Sequence, residues 1–351
     1  MSAHKPPGWR RLLSESVTAL DALPVAVAKD DRYIELLERY PMCINPYYLS
    51  LIRQKDDPIY RQCIPDLREI WDHTGVDDPL NEEGCSPVPG LTHRYPDRVL
   101  FLVSARCAVY CRFCNRKRKV GRAEMVTDQS IREGIAYIRG HREVRDVLLS
   151  GGDPLLLGNQ QLYHILHQIR EISHVEIVRI GTRVPCTLPQ RITPQLARML
   201  REFHPLYIHT HFNHPREITP QAALACGRLA DAGIPLGCQT VLLKGVNDSP
   251  GIIKELMQRL LMIRVRPYYL FQADLAKGTA HFWSPVRRGL EIISSLQGYT
   301  SGLCVPHFAI DLPGGGGKVT LLSDHVQWEA DGSLSVKTYE GKTCHYPVTG
   351  E

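Results

Sequence analysis

From about residue 99 the sequence alternates short apolar runs with helix-length segments, and this alternation constrains the fold more than any other feature. The runs occupy residues 99–103, 146–149, 175–180, 206–209, 237–242, 266–271 and 305–310. From the second run to the sixth, successive runs begin about thirty residues apart, which is the size of one strand–helix unit. Repeated β-α units predict a parallel sheet that is closed or partly closed into a barrel.

The pattern divides the chain into three regions. Residues 1–95 are helix-rich and punctuated by proline, and they predict a helical N-terminal region on one side of the barrel. Residues 96–318 are expected to form the barrel, in which Thr193-Pro194 and Thr219-Pro220 mark helix starts. Residues 319–351 are expected to form a short C-terminal extension, with a β-hairpin or extended tail at 319–322 and 333–339.

Composition narrows the class of protein. The 351 residues carry 42 basic and 37 acidic side chains, and a net charge of +5 is too mild to indicate a nucleic-acid partner. The N-terminus lacks the apolar stretch of a signal peptide, and no segment is long and apolar enough to span a membrane. Eleven cysteines without a secretion signal are typical of a reducing compartment. We therefore expect a soluble cytoplasmic protein that binds neither nucleic acid nor membrane.

Three cysteines, Cys107, Cys111 and Cys114, follow the first apolar run in the pattern C-x3-C-x2-C. A [4Fe–4S] cluster normally has four thiolate ligands, so three would leave one iron open to a small molecule. Two of the cysteines could instead belong to a zinc site, but no second cysteine or histidine pair of suitable spacing accompanies them. The pattern therefore favours a cluster with an open iron.

Other polar motifs lie at or after successive predicted strands. They are Ser150-Gly-Gly-Asp-Pro154, Gly181-Thr-Arg183, His209-Thr-His-Phe-Asn-His214, Gln239 and Asp274. Active sites of β-α barrels lie at the C-terminal ends of the strands. We therefore expect these motifs and the cysteine segment to form one site.

The segment Asp311-Leu-Pro-Gly-Gly-Gly-Gly-Lys318 follows the last predicted strand. Four glycines permit positive φ and let a ligand approach the backbone. A P-loop is excluded because Leu312 stands where that motif needs glycine, and Val319 stands where it needs serine or threonine. Two interpretations remain: a plain glycine-rich turn, or a lysine that forms a Schiff base with an aldehyde such as pyridoxal phosphate (PLP).

The cysteine pattern resembles the cluster loop of the radical S-adenosylmethionine (SAM) superfamily, in which the open iron binds the amino acid end of SAM. Together with the motifs at 150–154, 210–215 and 313–318, it resembles the lysine 2,3-aminomutases from about residue 40 to residue 318. The resemblance implies a partial (β/α)6 TIM-like radical SAM barrel. It also implies an isomerase that moves an amino group from C2 to C3 of an amino acid, with three cofactors: a [4Fe–4S] cluster, SAM and PLP.

The resemblance assigns roles to individual residues. Those implied for the cofactors are the cluster ligands Cys107, Cys111 and Cys114, the PLP lysine Lys318, the PLP-phosphate residues Arg94, Tyr95 and Arg98, and the SAM-site residues Gly151, Gly152, Asp153, His211 and Gln239. A bidentate arginine suits the PLP phosphate well. Arg116 matches the arginine that binds the substrate carboxylate.

Asp274 and Asp311 match the two carboxylates that receive the distant ammonium group in lysine-specific members. A buried ammonium needs such partners and glutamate would be repelled, so the resemblance implies L-lysine as substrate and β-lysine as product. For Asp274 alone, a helix-capping aspartate is the structural alternative. The functional alternatives are an aminomutase for arginine or glutamate, or an enzyme that makes β-lysine for modification of elongation factor P.

The sequence also departs from the family. Long members carry a C-terminal cysteine-rich zinc motif, whereas this sequence has only Cys344 in that region and Ser249 at a further ligand position, so we expect no structural zinc. The resemblance implies a reducing electron donor such as flavodoxin or ferredoxin and allows a homo-oligomer. A non-catalytic iron–sulfur protein is the alternative of a different class, and the intact Lys318 and Asp311 argue against it.

Overall fold

Strands and helices alternate along most of the chain in the computed structural model, which describes residues 8–23, 30–322, 326–329, 334–338 and 340–346. Within these residues the helices are α1 (Trp9–Ser14), α2 (Arg32–Arg39), α3 (Pro46–Leu49), α4 (Pro58–Cys63), α5 (Asp128–Gly140), α6 (Asn159–Arg170), α7 (Val184–Thr187), α8 (Pro194–Arg201), α9 (Pro220–Asp231), α10 (Pro250–Met262) and α11 (Val286–Leu296). The strands are β1 (Leu91–Tyr95), β2 (Arg98–Ser104), β3 (Asp146–Gly151), β4 (Ile177–Gly181), β5 (Leu206–Thr210), β6 (Leu236–Leu242), β7 (Arg266–Gln272), β8 (His307–Leu312), β9 (Gly317–Thr320), β10 (Val326–Trp328), β11 (Leu334–Lys337) and β12 (Thr343–Tyr346).

Strands β1 to β9 form one sheet in the order of the sequence. Neighbours from β2 to β8 are parallel, and helices connect them, so the six predicted β-α units are confirmed and a further parallel strand follows them. β1 and β9 are antiparallel additions at the two edges. These edges approach each other, because the backbone N–H of Lys318 in β9 donates a 2.8 Å hydrogen bond to Tyr95 Oη in β1. The sheet is therefore a nearly closed barrel.

The helices begin where the sequence provides caps. Thr193 and Thr219 each accept a 3.1 Å hydrogen bond from the backbone N–H three residues on, and a proline occupies the next position in both helices. Both predicted helix starts are confirmed. Among the described residues, no helix combines the length and the apolar character needed to cross a bilayer.

One apolar core lies between the sheet and its helices. Leu149 in β3 and Ile180 in β4 are fully buried and belong to the same cluster as Leu166 in α6. Tyr48 and Ile59, from the N-terminal region, belong to that cluster as well. The N-terminal region therefore packs onto the barrel through a shared core.

The two ends of the chain differ in detail from the pattern-based expectation. Residues 91–95 form β1, a strand whose Leu91 alone is fully buried, so the alternating apolar signal of a strand is missing there. At the other end, residues 319 and 320 belong to β9 and pair with β8, not with the tail. β10, β11 and β12 form a separate antiparallel sheet, and the predicted tail positions 333 and 339 lie outside the described residues.

Candidate active site

The cysteine segment forms a loop that begins where β2 ends. Backbone hydrogen bonds of 2.9 Å, from Tyr110 to Cys43 and from Gly121 to Ala105, fix both halves of this loop. Cys107, Cys111 and Cys114 line one small cavity together with Val109 and Val120. The structure therefore brings the three predicted cluster ligands together.

The chemistry of these thiols fits an iron–sulfur cluster. Burial raises the pKa of Cys114 to about 11 and holds that of Cys107 well above the ordinary value of a thiol, so both need a nearby positive centre to ionise. Among the described residues, no three His, Cys, Asp or Glu side chains lie close enough to hold a single metal ion. A [4Fe–4S] cluster does not need the cysteines to be as close together as a single metal ion does, because each cysteine binds a different iron.

Gly151, Gly152 and Asp153 lie at the base of the cysteine loop. A Cβ on Gly152 would lie 2.4 Å from the carbonyl oxygen of Arg106, so only glycine allows this approach of β3 to the loop. Asp153 accepts 2.7 Å hydrogen bonds from Thr182 Oγ1 and from the Arg183 backbone. The structure thus gives these residues a bracing role between the cysteine loop and the loop after β4, and their contact with SAM stays a prediction.

A second cavity, of about 460 Å³, lies inside the barrel and is lined by residues of every strand from β1 to β9 except β5. Its lining includes Arg94, Tyr95, Arg98, Arg116, Gln239, Asp311 and Lys318. Seven of the predicted site residues therefore share one space of the size that small ligands and cofactors occupy.

Lys318 is placed in this cavity by the strand pair β8–β9. It pairs across the two strands with Asp311, and its Nζ lies 4.3 Å from the ring centre of Phe271 and 4.7 Å from that of Tyr269. Burial lowers the pKa of Lys318, which favours the neutral amine that can attack an aldehyde. Gly314, Gly315 and Gly317 have φ of 68°, 89° and 82°, so the preceding loop requires glycine.

The arginines beside Lys318 leave a donor free for an anion. The Nε of Arg94 is buried and has no hydrogen-bond partner among the described residues, although its Nη2 donates to the Leu80 carbonyl. The Arg98 guanidinium stacks 3.8 Å above the ring of Tyr95. An unpaired buried guanidinium N–H suits a phosphate group, so these residues fit PLP.

Arg116 is already paired in the structure. Its Nε lies 2.9 and 3.0 Å from the two carboxylate oxygens of Glu82, and its Nη1 lies 3.2 Å from Ser150 Oγ. The sequence offered no signal for Glu82, which lies 34 residues away in a loop. The binding of a substrate carboxylate by Arg116 stays a prediction.

Asp274 and Asp311 form an anionic pair near Lys318. Burial and the charge of Asp311 raise the pKa of Asp274 to about 7. The one hydrogen bond that its carboxylate accepts from the described residues comes from Asn115 Nδ2, at 2.7 Å. Two neighbouring carboxylates favour a positively charged ligand.

Of the two remaining predicted residues, His211 directly follows β5 and Gln239 lies in the neighbouring strand β6. Burial lowers the pKa of His211 to about 3, so its imidazole is neutral, and its Nε2 lies 2.9 Å from Asn213 Oδ1. The ring packs edge-on against Phe113 in the cysteine loop, with centres 5.6 Å apart. Gln239 in β6 faces the second cavity, 3.4 Å from His209 Nδ1.

Arg183 has a contact that the sequence analysis did not assign. Its Nη1 lies 2.8 Å from Cys111 Sγ, and its Nη2 donates to Glu217 Oε1 at 2.8 Å and to Gln62 Oε1 at 2.6 Å. The motif Gly181-Thr-Arg183 marked the position but not the partner, because the cysteine lies 72 residues away. This guanidinium places a positive charge beside one of the three predicted cluster ligands.

Comparison with known proteins agrees with this geometry. Residues 101–256 match the model of the radical SAM superfamily, and residues 293–350 match the model described as lysine-2,3-aminomutase. The chain is 47% identical over 346 residues to the L-lysine 2,3-aminomutase of Clostridium subterminale, covering 96% of this chain and 83% of that protein.

Two further relatives widen the comparison. The L-lysine 2,3-aminomutase of Fusobacterium nucleatum is 50% identical over 318 residues, covering 89% of this chain and 75% of that protein. The glutamate 2,3-aminomutase of Clostridioides difficile is 45% identical over 337 residues, covering 94% of this chain and 80% of that protein. With the cysteine loop, the lysine cavity and these matches together, the chain belongs to the lysine 2,3-aminomutase family of radical SAM enzymes.

Proposed function

We propose that this protein is an L-lysine 2,3-aminomutase, which moves the amino group of L-lysine from C2 to C3 and releases β-lysine. Identity alone does not select the substrate, because lysine and glutamate enzymes match the chain almost equally. The pair Asp274 and Asp311 supports lysine: two carboxylates stabilise an ammonium group and repel the side chain of glutamate.

The residues of the chain have distinct tasks in this reaction. When bound, the cluster and SAM supply a radical that removes hydrogen, and PLP supplies the π-system through which nitrogen migrates. Lys318 holds PLP, with Phe271 and Tyr269 beneath its amine. Arg94, with its free Nε, and Arg98 hold the phosphate. The barrel orients substrate and cofactor and keeps water from the radical.

Binding at the other end of the substrate follows from charge. Arg116 receives the lysine carboxylate, either by sharing its guanidinium with Glu82 or by exchanging that partner. The cluster requires an external reductant, for which an iron–sulfur or flavin electron carrier is the expected class. A cytoplasmic location and a homo-oligomer stay predictions.

The substrate is tested by anaerobic assay of the reconstituted holoenzyme. The reduced protein is incubated with SAM, PLP and L-lysine, L-arginine or L-glutamate in turn, and products are separated by chromatography. We expect β-lysine from L-lysine and no β-amino acid from glutamate. Faster conversion of glutamate or arginine than of lysine would overturn the proposal.

The PLP assignment is tested at Lys318. In Lys318→Ala we expect loss of the PLP absorbance band and of turnover, because the covalent attachment is removed, while cluster absorbance persists. Lys244→Ala, at an exposed lysine in the loop after β6, is the matched control and keeps both. A Lys318→Ala protein that retains bound PLP and activity would refute the assignment.

A further inference from the structure

Asn115 connects the cysteine loop to the proposed substrate pocket. It follows Cys114 directly in the sequence, and its Nδ2 donates a 2.7 Å hydrogen bond to Asp274 Oδ2, 159 residues further along the chain. No described residue donates a hydrogen bond to the other oxygen, Oδ1. The amide therefore fixes one side of the carboxylate and leaves the other side available.

The backbone of Asp274 is held separately. Its carbonyl oxygen accepts hydrogen bonds from Trp283 Nε1 at 3.1 Å and from Thr279 Oγ1 at 3.4 Å. The loop position is thus fixed by contacts that do not involve Asn115. What Asn115 adds is the orientation of the carboxylate itself.

On these contacts, and resting on the proposed function, we infer that Asn115 is a positioning residue for the ammonium group of the substrate. It holds Asp274 so that Oδ1 meets the side-chain ammonium of lysine. The radical-generating loop therefore also contributes to the choice of substrate.

A neutral donor is the group that this task requires. Two other buried carboxylates around the loop are neutralised by cations: Glu82 by Arg116, and Glu69 by Arg112 and Lys117. A cation at position 115 would likewise consume the charge of Asp274 and compete with the substrate. An asparagine amide orients the carboxylate without cancelling its charge.

The test is a binding titration that needs no turnover. L-Lysine is added to PLP-loaded enzyme without SAM, and the change in PLP absorbance gives its dissociation constant. L-Norleucine is titrated in parallel, because it has the same carbon chain as lysine but lacks the side-chain ammonium group. In Asn115→Leu we expect the dissociation constant for lysine to rise about tenfold, as for loss of a hydrogen bond to a charged group, and that for norleucine to stay unchanged.

Double variants show whether Asn115 acts through Asp274. If it does, Asn115→Leu adds nothing to the loss caused by Asp274→Ala, whereas its effect adds to that of Asp311→Ala. An equal loss of lysine and norleucine binding, or full additivity with Asp274→Ala, would overturn the inference.

Two readouts keep the result interpretable. Iron content and cluster absorbance show whether the leucine fits the loop; Asn115→Ala, which adds no bulk, replaces it if iron is lost. Steady-state kinetics should show a higher KM for lysine with little change in kcat. If the unmodified enzyme does not bind lysine more tightly than norleucine, the proposed function fails. If the unmodified enzyme prefers lysine and the Asn115→Leu enzyme shows the same preference, only the inference about Asn115 fails.

Discussion

The pKa values of two carboxylates near the cysteine loop are shifted in opposite directions, because only one of the carboxylates accepts hydrogen bonds from cations. Glu69 is fully buried, yet the charges of Arg112 and Lys117 outweigh its desolvation and lower its pKa to about 2. For Asp274, desolvation and the charge of Asp311 outweigh the hydrogen bond from Asn115 and the charge of Arg116, and its pKa rises to about 7. The direction of the pKa shift thus distinguishes a carboxylate that is paired within the protein from one that is suited to bind a cationic ligand.

The raised pKa of Asp274 predicts the pH dependence of lysine use. The charged groups around Asp274 are Asp311, Glu82, Arg116 and Lys318. The Asp274 carboxylate is charged above pH 7, and it loses that charge as the pH falls through 7. We expect kcat/KM for lysine to fall about tenfold per pH unit below 7. The measurement is the dependence of kcat/KM on pH, which reports ionisations of the free enzyme, at constant ionic strength.

A matched variant tests whether Asp274 causes the fall in kcat/KM below pH 7, which is the acidic limb of the pH profile. In Asp274→Asn the limb should disappear, and kcat/KM should be low at every pH, because position 274 no longer ionises. A wild-type profile that stays flat down to pH 5.5, or an unchanged limb in the variant, would contradict the assignment.

Residues were predictable from the sequence where their chemistry is local. The cysteine spacing and the glycines before Lys318 are contained in short segments. The partners Glu82 of Arg116 and Arg183 of Cys111 are 34 and 72 residues distant from those side chains. Their contacts depend on the paths of loops, for which no periodic pattern exists.

At the scale of elements, the barrel strands were predictable because buried parallel strands are continuous apolar runs. β1 was not, since Arg94 and Tyr95 line the second cavity and break the apolar alternation. A strand that supplies ligand-binding side chains thus loses the sequence signal of a strand.

The contact of β3 with the cysteine loop predicts the effect of a single methyl group. Gly152→Ala would place Cβ 2.4 Å from the Arg106 carbonyl oxygen. We expect a loss of about 2 kcal/mol or more in the free energy of unfolding and a lower iron content, because the loop must move away. Denaturant unfolding and iron analysis measure the two effects.

Gly251→Ala is the control for that substitution. Gly251 lies in α10, and a Cβ added there would have no atom within 4 Å, so alanine should leave stability unchanged or raise it by up to about 1 kcal/mol. Equal iron content in both glycine variants would show that the close approach at Gly152 does not shape the cluster site.

At the scale of the whole molecule, the cysteine loop contacts both the N-terminal region and the segment after β7. Its Arg112 backbone donates to Gln62 in the N-terminal region at 2.9 Å, and its Asn115 reaches Asp274 beyond β7. The residues proposed to hold PLP lie instead on β1, β2 and β9. Cluster and PLP are therefore attached to different segments of one barrel.

This separation predicts the result of iron removal. Chelation of iron from the holoenzyme should leave PLP bound and weaken lysine binding about tenfold, since Asn115 and Arg116 belong to the loop that loses its cluster. PLP absorbance during titration with lysine measures both quantities. Release of PLP together with iron, or unchanged lysine affinity, would contradict this division.

The hydrogen bond between Lys318 and Tyr95 joins strands at opposite edges of the sheet, 223 residues apart in the chain. A cofactor covalently bound to Lys318 and gripped at its phosphate by Arg94 would span the same seam. Retention of the cofactor and closure of the barrel are then linked equilibria, and each stabilises the other by the same free energy.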